Sequence, residues 1–536
     1  MDPVANLTTA VEETAAEVAG NGRPAGLRLD RPPRPDFGDY STNAAMLLAP
    51  SLGEPPRAVA ERLGDRLGDR LGETVERVEI AGPGFLNLFM SDRWYLDALA
   101  ALLEAGDDYG AGSGGEHLNV EFVSANPTGP ITIASARHAA YGDSLSRILE
   151  RAGHRVEREY YVNDAGSQVR RFGESIRARA RDEEPPDDGY RGEYVVELAQ
   201  RIDGAANADP DELARTGIEL MLEGVRATLT RFRVHMDQFF FERTLHESGE
   251  VEAAIDRLAD VYEHDGALWL RTSAHGDDKD RVLRRSTGEW TYFASDIAYH
   301  VHKIGRDYDR AIDIWGADHH GHVARMKLAW ELLGGDPGAY EIIIMQLVSL
   351  TEGGDRRTMS KRAGQIATLD DLLDEIGVDA ARWFLASRSP DSALEIDLEL
   401  ARSESQDNPV YYVQYAHARI ASILRKAGEE RVQQALAADV RGSSERFHPS
   451  ARALVKRLIE LPGAIREAGE RRAPHRIAAY ATETAQDFSA FYRDVRVVGA
   501  AEEDGDEDVR IVIALLTKRV LAQALDLLGV EAPDTM

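Results

Sequence analysis

The chain has 536 residues, which at roughly 150 residues per domain allows three or four domains with cores of their own. Its 63 basic and 93 acidic side chains leave a net charge of −30, a balance that by itself argues against a generally basic, nucleic-acid-coating surface. The absence of cysteine excludes disulfide scaffolds, thiolate zinc sites and cysteine nucleophiles. No run of eighteen apolar residues and no basic leader is present, so a soluble, cytoplasmic protein without membrane contact is expected. The basic residues are lopsided: apart from Lys279, Lys303, Lys327, Lys361, Lys426, Lys456 and Lys518, every one is arginine. Acid-rich, lysine-poor surfaces resemble those of halophilic archaeal proteins, so the charge excess is read as a mark of salty solvent.

Residues 1–110 read as a small α+β unit. An alanine-rich helix is followed by the turn-rich segment Arg31–Asp39, a helix around Ser41–Leu48, and strands in Val75–Met90 about the Gly82-Pro83-Gly84 turn. Gly110–Gly115 is a linker by composition. The unit 111–390 opens with a strand, Leu118–Val123, a Pro/Gly loop from Asn126 to Pro130, a helix from Ala134 to Ala152 and a strand, Val156–Val162. That β-loop-α-β order predicts an α/β fold, a doubly wound parallel sheet with its ligand at the carboxyl ends of the strands. An insertion covers about 170–280 and includes the acidic stretch Asp182–Asp188, which reads as a solvated loop. Alternation resumes at Ala311–Trp315 and Ile342–Leu350. Residues 391–536 show helix periodicity from about Asp407 onward, broken by acidic Ala501–Asp508, and are read as an all-α domain.

Four segments carry chemistry. Ser124-Ala125-Asn126-Pro127-Thr128-Gly129-Pro130 lies between a strand and a helix N-terminus, where backbone amides can receive phosphate. Arg357-Thr358-Met359-Ser360-Lys361-Arg362-Ala363-Gly364 is a basic loop, and a lysine kept there, in a chain that otherwise favours arginine, suits a point-charge phosphate contact. Tyr292 and Asp296 are four apart and share a helix face, and a carboxylate accepts the paired hydrogen bonds of a guanidinium. Gly316-Ala317-Asp318-His319-His320 ends a predicted strand, where a nucleotide ribose would lie, with Asp318 as a hydroxyl acceptor. The cluster His319, His320 and His322 suggests a metal only weakly, because adjacent helical histidines point apart, and no metal site is expected.

Taken together these segments resemble a class I aminoacyl-tRNA synthetase, specifically the arginyl-tRNA synthetase family. Met359-Ser360-Lys361-Arg362 is similar to the KMSKS loop, and the 124–130 loop with Ala136-Arg137 resembles the approach to the HIGH signature. The resemblance extends through Phe37-Gly38-Asp39-Tyr40, Ala81–Asn87, Tyr160–Gly166, Trp315–Gly321, Val378–Arg382 and Asn408–Arg419. It implies a Rossmann-like catalytic domain between an N-terminal α+β domain that meets the tRNA elbow and a helical anticodon-binding domain.

The implied activity is ligation of L-arginine to tRNA(Arg) through an arginyl-adenylate, with ATP and Mg²⁺, by a monomer that needs bound tRNA even for the first step. The implied catalytic residues are Lys361, Thr132 and Ser135. ATP would be held by Pro127, Thr128, Gly129, Thr132, Ser135, Gly316, Asp318, His320, Met359, Ser360 and Lys361. Arginine would be held by Ser124, Asn126, Ser135, Tyr292, Asp296 and His320, and tRNA by Phe85, Asn87, Tyr411, Tyr412, Tyr415 and Met536. One departure stands out. Where the family has His-x-Gly-His, this chain has Thr132-Ile133-Ala134-Ser135, whose hydroxyls donate neutral hydrogen bonds but cannot become cations. Three rivals follow: another class I synthetase, which Tyr292 and Asp296 disfavour; a nucleotidyltransferase, which needs no helical C-terminal domain; and a non-catalytic tRNA-binding paralogue, motivated by Thr132 and Ser135.

Overall fold

A computed structural model describes residues 2–20, 24–32, 34–357, 368–499 and 506–536. Its centre is a five-stranded parallel sheet of β1 (His117–Glu121), β2 (Arg155–Val162), β3 (Gln238–Phe241), β4 (Arg310–Gly316) and β5 (Tyr340–Met345), in the spatial order β5-β4-β1-β2-β3. The chain runs outward from β1 to β3, then crosses back to lay β4 on the other side of β1. Strand order therefore reverses between β1 and β4, which opens a crevice at their carboxyl ends.

The first crossover is helix α1 (Ile133–Arg151), whose small buried residues Ala136, Ala139 and Ala140 let it lie close to the sheet. A Cβ on Gly142 would stand 2.2 Å from the Phe122 ring, so only glycine permits that approach. Between β2 and β3 the chain forms helices Ser167–Ala180, Glu193–Arg201 and Pro210–Arg231. The acidic stretch joining the first two is exposed except at Pro185. After β3, a small antiparallel sheet (Val261–His264, Ala267–Leu270, Arg281–Arg284) leads into helix α2 (Tyr292–Ile304).

The expected single strand Ile342–Leu350 is two strands. β5 ends at Met345, and β6 (Val348–Glu352) joins another sheet with Asp355–Arg357 and Leu394–Asp397. The break is held by Arg137 on α1, fully buried, which donates to the carbonyls of Gln346 (2.7 Å), Ser389 (2.9 Å) and Ser392 (3.0 Å).

The N-terminal unit is a four-stranded sheet, with Tyr40–Thr42 and Val75–Ala81 flanking Phe85–Met90, and helices Pro3–Ala19, Ala44–Leu52 and Pro56–Leu71. The helix expected from Ser41 starts only at Ala44. The Asp39 carboxylate accepts from Met90 N at 2.8 Å and Asp39 N donates to Leu88 O at 2.8 Å, which draws Tyr40–Thr42 into the sheet. The Gly110–Gly115 linker is also tied down. Gly112 N and Gly114 N donate to Arg151 O and Ala152 O at 2.8 and 2.9 Å, and a Cβ on Gly112 would lie 2.4 Å from Ala152 O.

The C-terminal part is helical, from α3 (Pro409–Ala427) through His475–Asp494 to α4 (Glu507–Leu527). Residues Asp506–Asp508, expected as part of an acidic break, instead cap and open α4, where carboxylates suit exposed amides. Lys456 Nζ binds Asp39 Oδ1 at 3.0 Å and Arg452 binds Asp92 at 2.7 Å, so this part packs on the N-terminal unit.

Candidate active site

The crevice at the switch point widens into a cleft of about 2040 Å³. It gathers Ser124, Asn126, Thr128, Gly129, Thr132, Ser135, Tyr292, Asp296, Gly316 and Asp318 from separate parts of the sequence-expected set. Pro127 is buried and does not line it. Met359, Ser360 and Lys361 lie outside the described residues.

One end is built from helix α2. Tyr292, Asp296, His300 and Lys303 follow each other at helical spacing on its inner face. Asp296 is buried and its Oδ2 accepts from His322 Nε2 at 2.9 Å. Burial raises the Asp296 pKa above the usual carboxylate range, and His322 offsets this only in part. Tyr292, one turn earlier, is half exposed, and the Tyr292, Phe293 and Trp315 rings surround His322. His320 was expected here but is exposed and outside the cleft lining; the tight turn Ala317–His322 sends His319 and His322 inward instead.

Two further groups escape sequence reasoning. Glu242, buried, has one carboxylate oxygen 3.4 Å from His246 Nε2, while the other has no partner among the described residues. The Tyr161 hydroxyl is likewise buried and unpartnered, and both line the cleft. Asp296 and Glu242 together offer spare acceptors in a desolvated pocket, which suits a ligand with several cationic N–H groups. The available signal was positional: Glu242 directly follows β3, and residues just past a strand's carboxyl end face the crevice.

Beneath the pocket runs a buried ionic chain. Ser124 Oγ donates to Glu121 Oε1 at 3.0 Å, and Lys303 Nζ donates to Glu121 Oε2 and Asp313 Oδ1, both at 2.6 Å. Asp313 Oδ2 lies 2.8 Å from the Tyr340 hydroxyl, which donates to it, and 3.0 Å from His300 Nε2; His300 Nδ1 is 2.7 Å from Asp296 O. Burial opposes the charge on Asp313, but Lys303 and His300 outweigh it and hold that carboxyl well below its ordinary range. Burial pushes Glu121 up, with Lys303 compensating in part. Burial also disfavours the Lys303 ammonium, yet Asp313 and Glu121 raise its pKa and keep it charged. Above this floor Val123 and Ser124 have φ of 71° and 38°, costly values for non-glycine residues. The Ser124 hydroxyl holds the bend by bonding Glu121 and accepting from Tyr161 N at 3.3 Å.

The other end is the start of α1. Thr132 is its N-cap: Thr132 Oγ1 accepts from Ser135 N at 3.3 Å and lies 3.3 Å from Ser135 Oγ. Leu369 N donates to Ile131 O at 2.8 Å, which stitches this corner to the start of the helix Leu369–Ala386. Asp318 is exposed and folds over Gly316, where a Cβ would come 2.5 Å from Asp318 Oδ1.

Among the expected tRNA contacts, Phe85 is exposed at its turn. Asn87 is buried and accepts from Ser41 Oγ at 2.8 Å, which removes it from any contact surface. On α3, Tyr411 and Tyr415 stack at 6.1 Å with Tyr415 exposed, whereas Tyr412 turns inward to Ser489 Oγ at 3.1 Å. The chain end is tied to the same helix, with Pro533 O 2.8 Å from His417 Nδ1, and leaves Met536 exposed.

Three family descriptions match in order along the chain: "Arginyl tRNA synthetase N terminal domain" over 5–90, "tRNA synthetases class I (R), catalytic domain" over 226–420, and "DALR anticodon binding domain" over 413–536. The chain is 42% identical to an arginine--tRNA ligase of Shouchella clausii, over 97% of this chain and 96% of that protein. It is 43% identical to one of Kineococcus radiotolerans, over 99% and 100%. The solved Thermus thermophilus arginyl-tRNA synthetase superposes with a TM-score of 0.77 at 24% identity, covering 99% of this chain and all of that one. These relatives are bacterial and give no support to an archaeal source. Its sheet order, cleft and full-length similarity agree: the chain belongs to the arginyl-tRNA synthetase family of class I aminoacyl-tRNA synthetases.

Proposed function

We propose that this cleft joins arginine to tRNA(Arg) in two steps. The arginine carboxylate attacks the α-phosphorus of ATP, which enters as its magnesium salt, giving arginyl-adenylate and pyrophosphate. A hydroxyl of the tRNA's terminal adenosine, expected to be the 2′, then attacks the adenylate carbonyl and releases AMP. No protein nucleophile takes part, so catalysis is positioning plus electrostatic stabilisation.

The observation that carries this reading is Asp296: a buried carboxylate, raised by desolvation, with Tyr292 on the same face. Asp296, Tyr292 and the free Glu242 oxygen receive the guanidinium. Ser124 and Asn126 take the amino-acid backbone groups, and Thr132 and Ser135 face the triphosphate, with Asp318 at the ribose; Lys361 is assigned to the phosphates by its motif. Residues 1–110 would meet the tRNA elbow through Phe85, and 391–536 the anticodon through Tyr411, Tyr415 and Met536, flanking a catalytic unit of 111–390. The enzyme would act as a cytoplasmic monomer. Its acidic, lysine-poor surface fits a saline solvent, in which counterion release contributes little to tRNA affinity and stacking must contribute more.

Aminoacylation with arginine and total tRNA, repeated from low to molar KCl, tests the reading. Charging with arginine alone among the amino acids supports it, and no charging at any salt concentration overturns it. Lys361→Ala should suppress ATP–pyrophosphate exchange while sparing tRNA binding, and exchange should require tRNA.

A further inference from the structure

Helix α1 carries an imidazole into the cleft. His138 lies three residues past Ser135, on the same side of the helix and about 4.5 Å farther along its axis. It is half-buried and lines the cleft, and its Cε1 stands 3.6 Å from the place a Cβ on Gly316 would occupy. The ring therefore fills the gap between the carboxyl ends of β1 and β4, where strand order reverses. Glycine at 316 keeps that gap open beside Asp318.

The groups acting on this ring come from three directions. Arg137 precedes it on the helix, with its guanidinium held by main-chain carbonyls. Asp318 and His319 approach from the turn after β4, and the Val123 main chain approaches from the end of β1. Burial and Arg137 push the His138 pKa down to about 4, so the ring is neutral near pH 7. A neutral imidazole has one N–H and one bare nitrogen. The Val123 carbonyl can only accept, so it takes the N–H and leaves the bare nitrogen as an acceptor. A triphosphate ionised at neutral pH offers such a nitrogen almost no protons, whereas ribose hydroxyls do.

We propose that His138 grips the nucleoside half of ATP, its bare ring nitrogen accepting a hydrogen bond from one ribose hydroxyl while Asp318 accepts from the other. This rests on the reading of the cleft as an ATP site, and it moves part of the nucleotide grip from the mouth of α1 to the switch point. His138 here is a binding residue and takes no part in the bond changes.

The test is calorimetric titration and steady-state aminoacylation of wild type, His138→Ala and His138→Gln. Titrants are ATP, 2′-deoxy-ATP, 3′-deoxy-ATP and tripolyphosphate. His138→Ala should raise Kd and KM for ATP about tenfold. Arginine KM, kcat and tripolyphosphate affinity should stay within twofold, which also shows that the site is folded. His138→Gln, which keeps an acceptor, should recover part of the loss. One deoxy analogue should bind wild type weakly and lose nothing more in His138→Ala. An unchanged ATP Kd, an equal loss for tripolyphosphate, or additive losses with both deoxy analogues would each overturn the proposal. Failure of wild type to charge tRNA with arginine counts against the enzymatic reading alone, since the titrations still report on the nucleoside contact.

Discussion

The two ends of the cleft solve recognition differently. At the α2 end, ionised groups are buried and wired together: Asp296 leans on His322, and a continuous chain runs from Ser124 through Glu121, Lys303 and Asp313 to His300. At the α1 end, small neutral hydroxyls sit at a helix mouth and bond chiefly to each other and to the backbone. A fixed cationic substrate group rewards buried carboxylates, because low dielectric strengthens each contact, while Lys303 keeps Asp313 in the floor ionised. A mobile triphosphate that arrives with its own cation needs less fixed charge and more shaping.

Breaking the buried chain should have the largest effect. Lys303→Met leaves Glu121 and Asp313 facing each other unneutralised, and loss of one partner from a buried ion pair costs about 3–5 kcal/mol. Urea denaturation should show that loss, and a variant as stable as wild type would refute the structural role given to the chain. Asp296→Asn removes a charge-assisted contact worth about 1.5–3 kcal/mol. Its kcat/KM for arginine should fall by roughly 10- to 150-fold, with ATP KM little changed; equal losses for both substrates would erase the contrast between the two ends.

The same carboxylate sets a pH dependence. Because burial raises the Asp296 pKa, protonation begins at higher pH than for an exposed aspartate. Arginine binding should weaken as pH falls through the raised value, by up to about tenfold per unit below it, and Asp296→Asn should lose this dependence. The smallest effect is expected at the helix mouth. Thr132→Ala removes an N-cap and should cost about 1 kcal/mol of stability, whereas Thr132→Ser should retain most of it. A Thr132→Ala variant of unchanged stability but much reduced ATP affinity would show that the hydroxyl serves the nucleotide instead of the helix.

Much of the catalytic unit was legible because its signals are local. The β-loop-α-β order came from periodicity, and the boundaries of β1, α1 and β2 fall within two residues of expectation. The four-residue spacing put Tyr292 and Asp296 on one helix face, but their assignment to a guanidinium came from the family resemblance. His320 was misplaced because the chain after β4 winds as a 3₁₀ helix, whose three-residue period puts His319 and His322 on the cleft side and leaves His320 exposed. The resemblance put Asn87 at the tRNA, but it faces Ser41 across the pairing of Tyr40–Thr42 with Phe85–Met90 and is buried there.

The lysines draw the same line. Their scarcity singled out Lys361 as a functional candidate, yet Lys303 and Lys456 are equally rare and are buried ion-pair partners. Sequence by itself determined the family, the doubly wound order, the helical C-terminal part and the shared helix face of Tyr292 and Asp296, since each rests on spacing within one element or on motifs in fixed order. Tertiary structure alone decided the neutralised floor of Glu121, Lys303 and Asp313, the spare acceptors of Glu242 and Tyr161, and the seat of His138. Those depend on desolvation and on charges brought together from a strand and a helix 182 residues apart, and neither leaves a trace in local pattern.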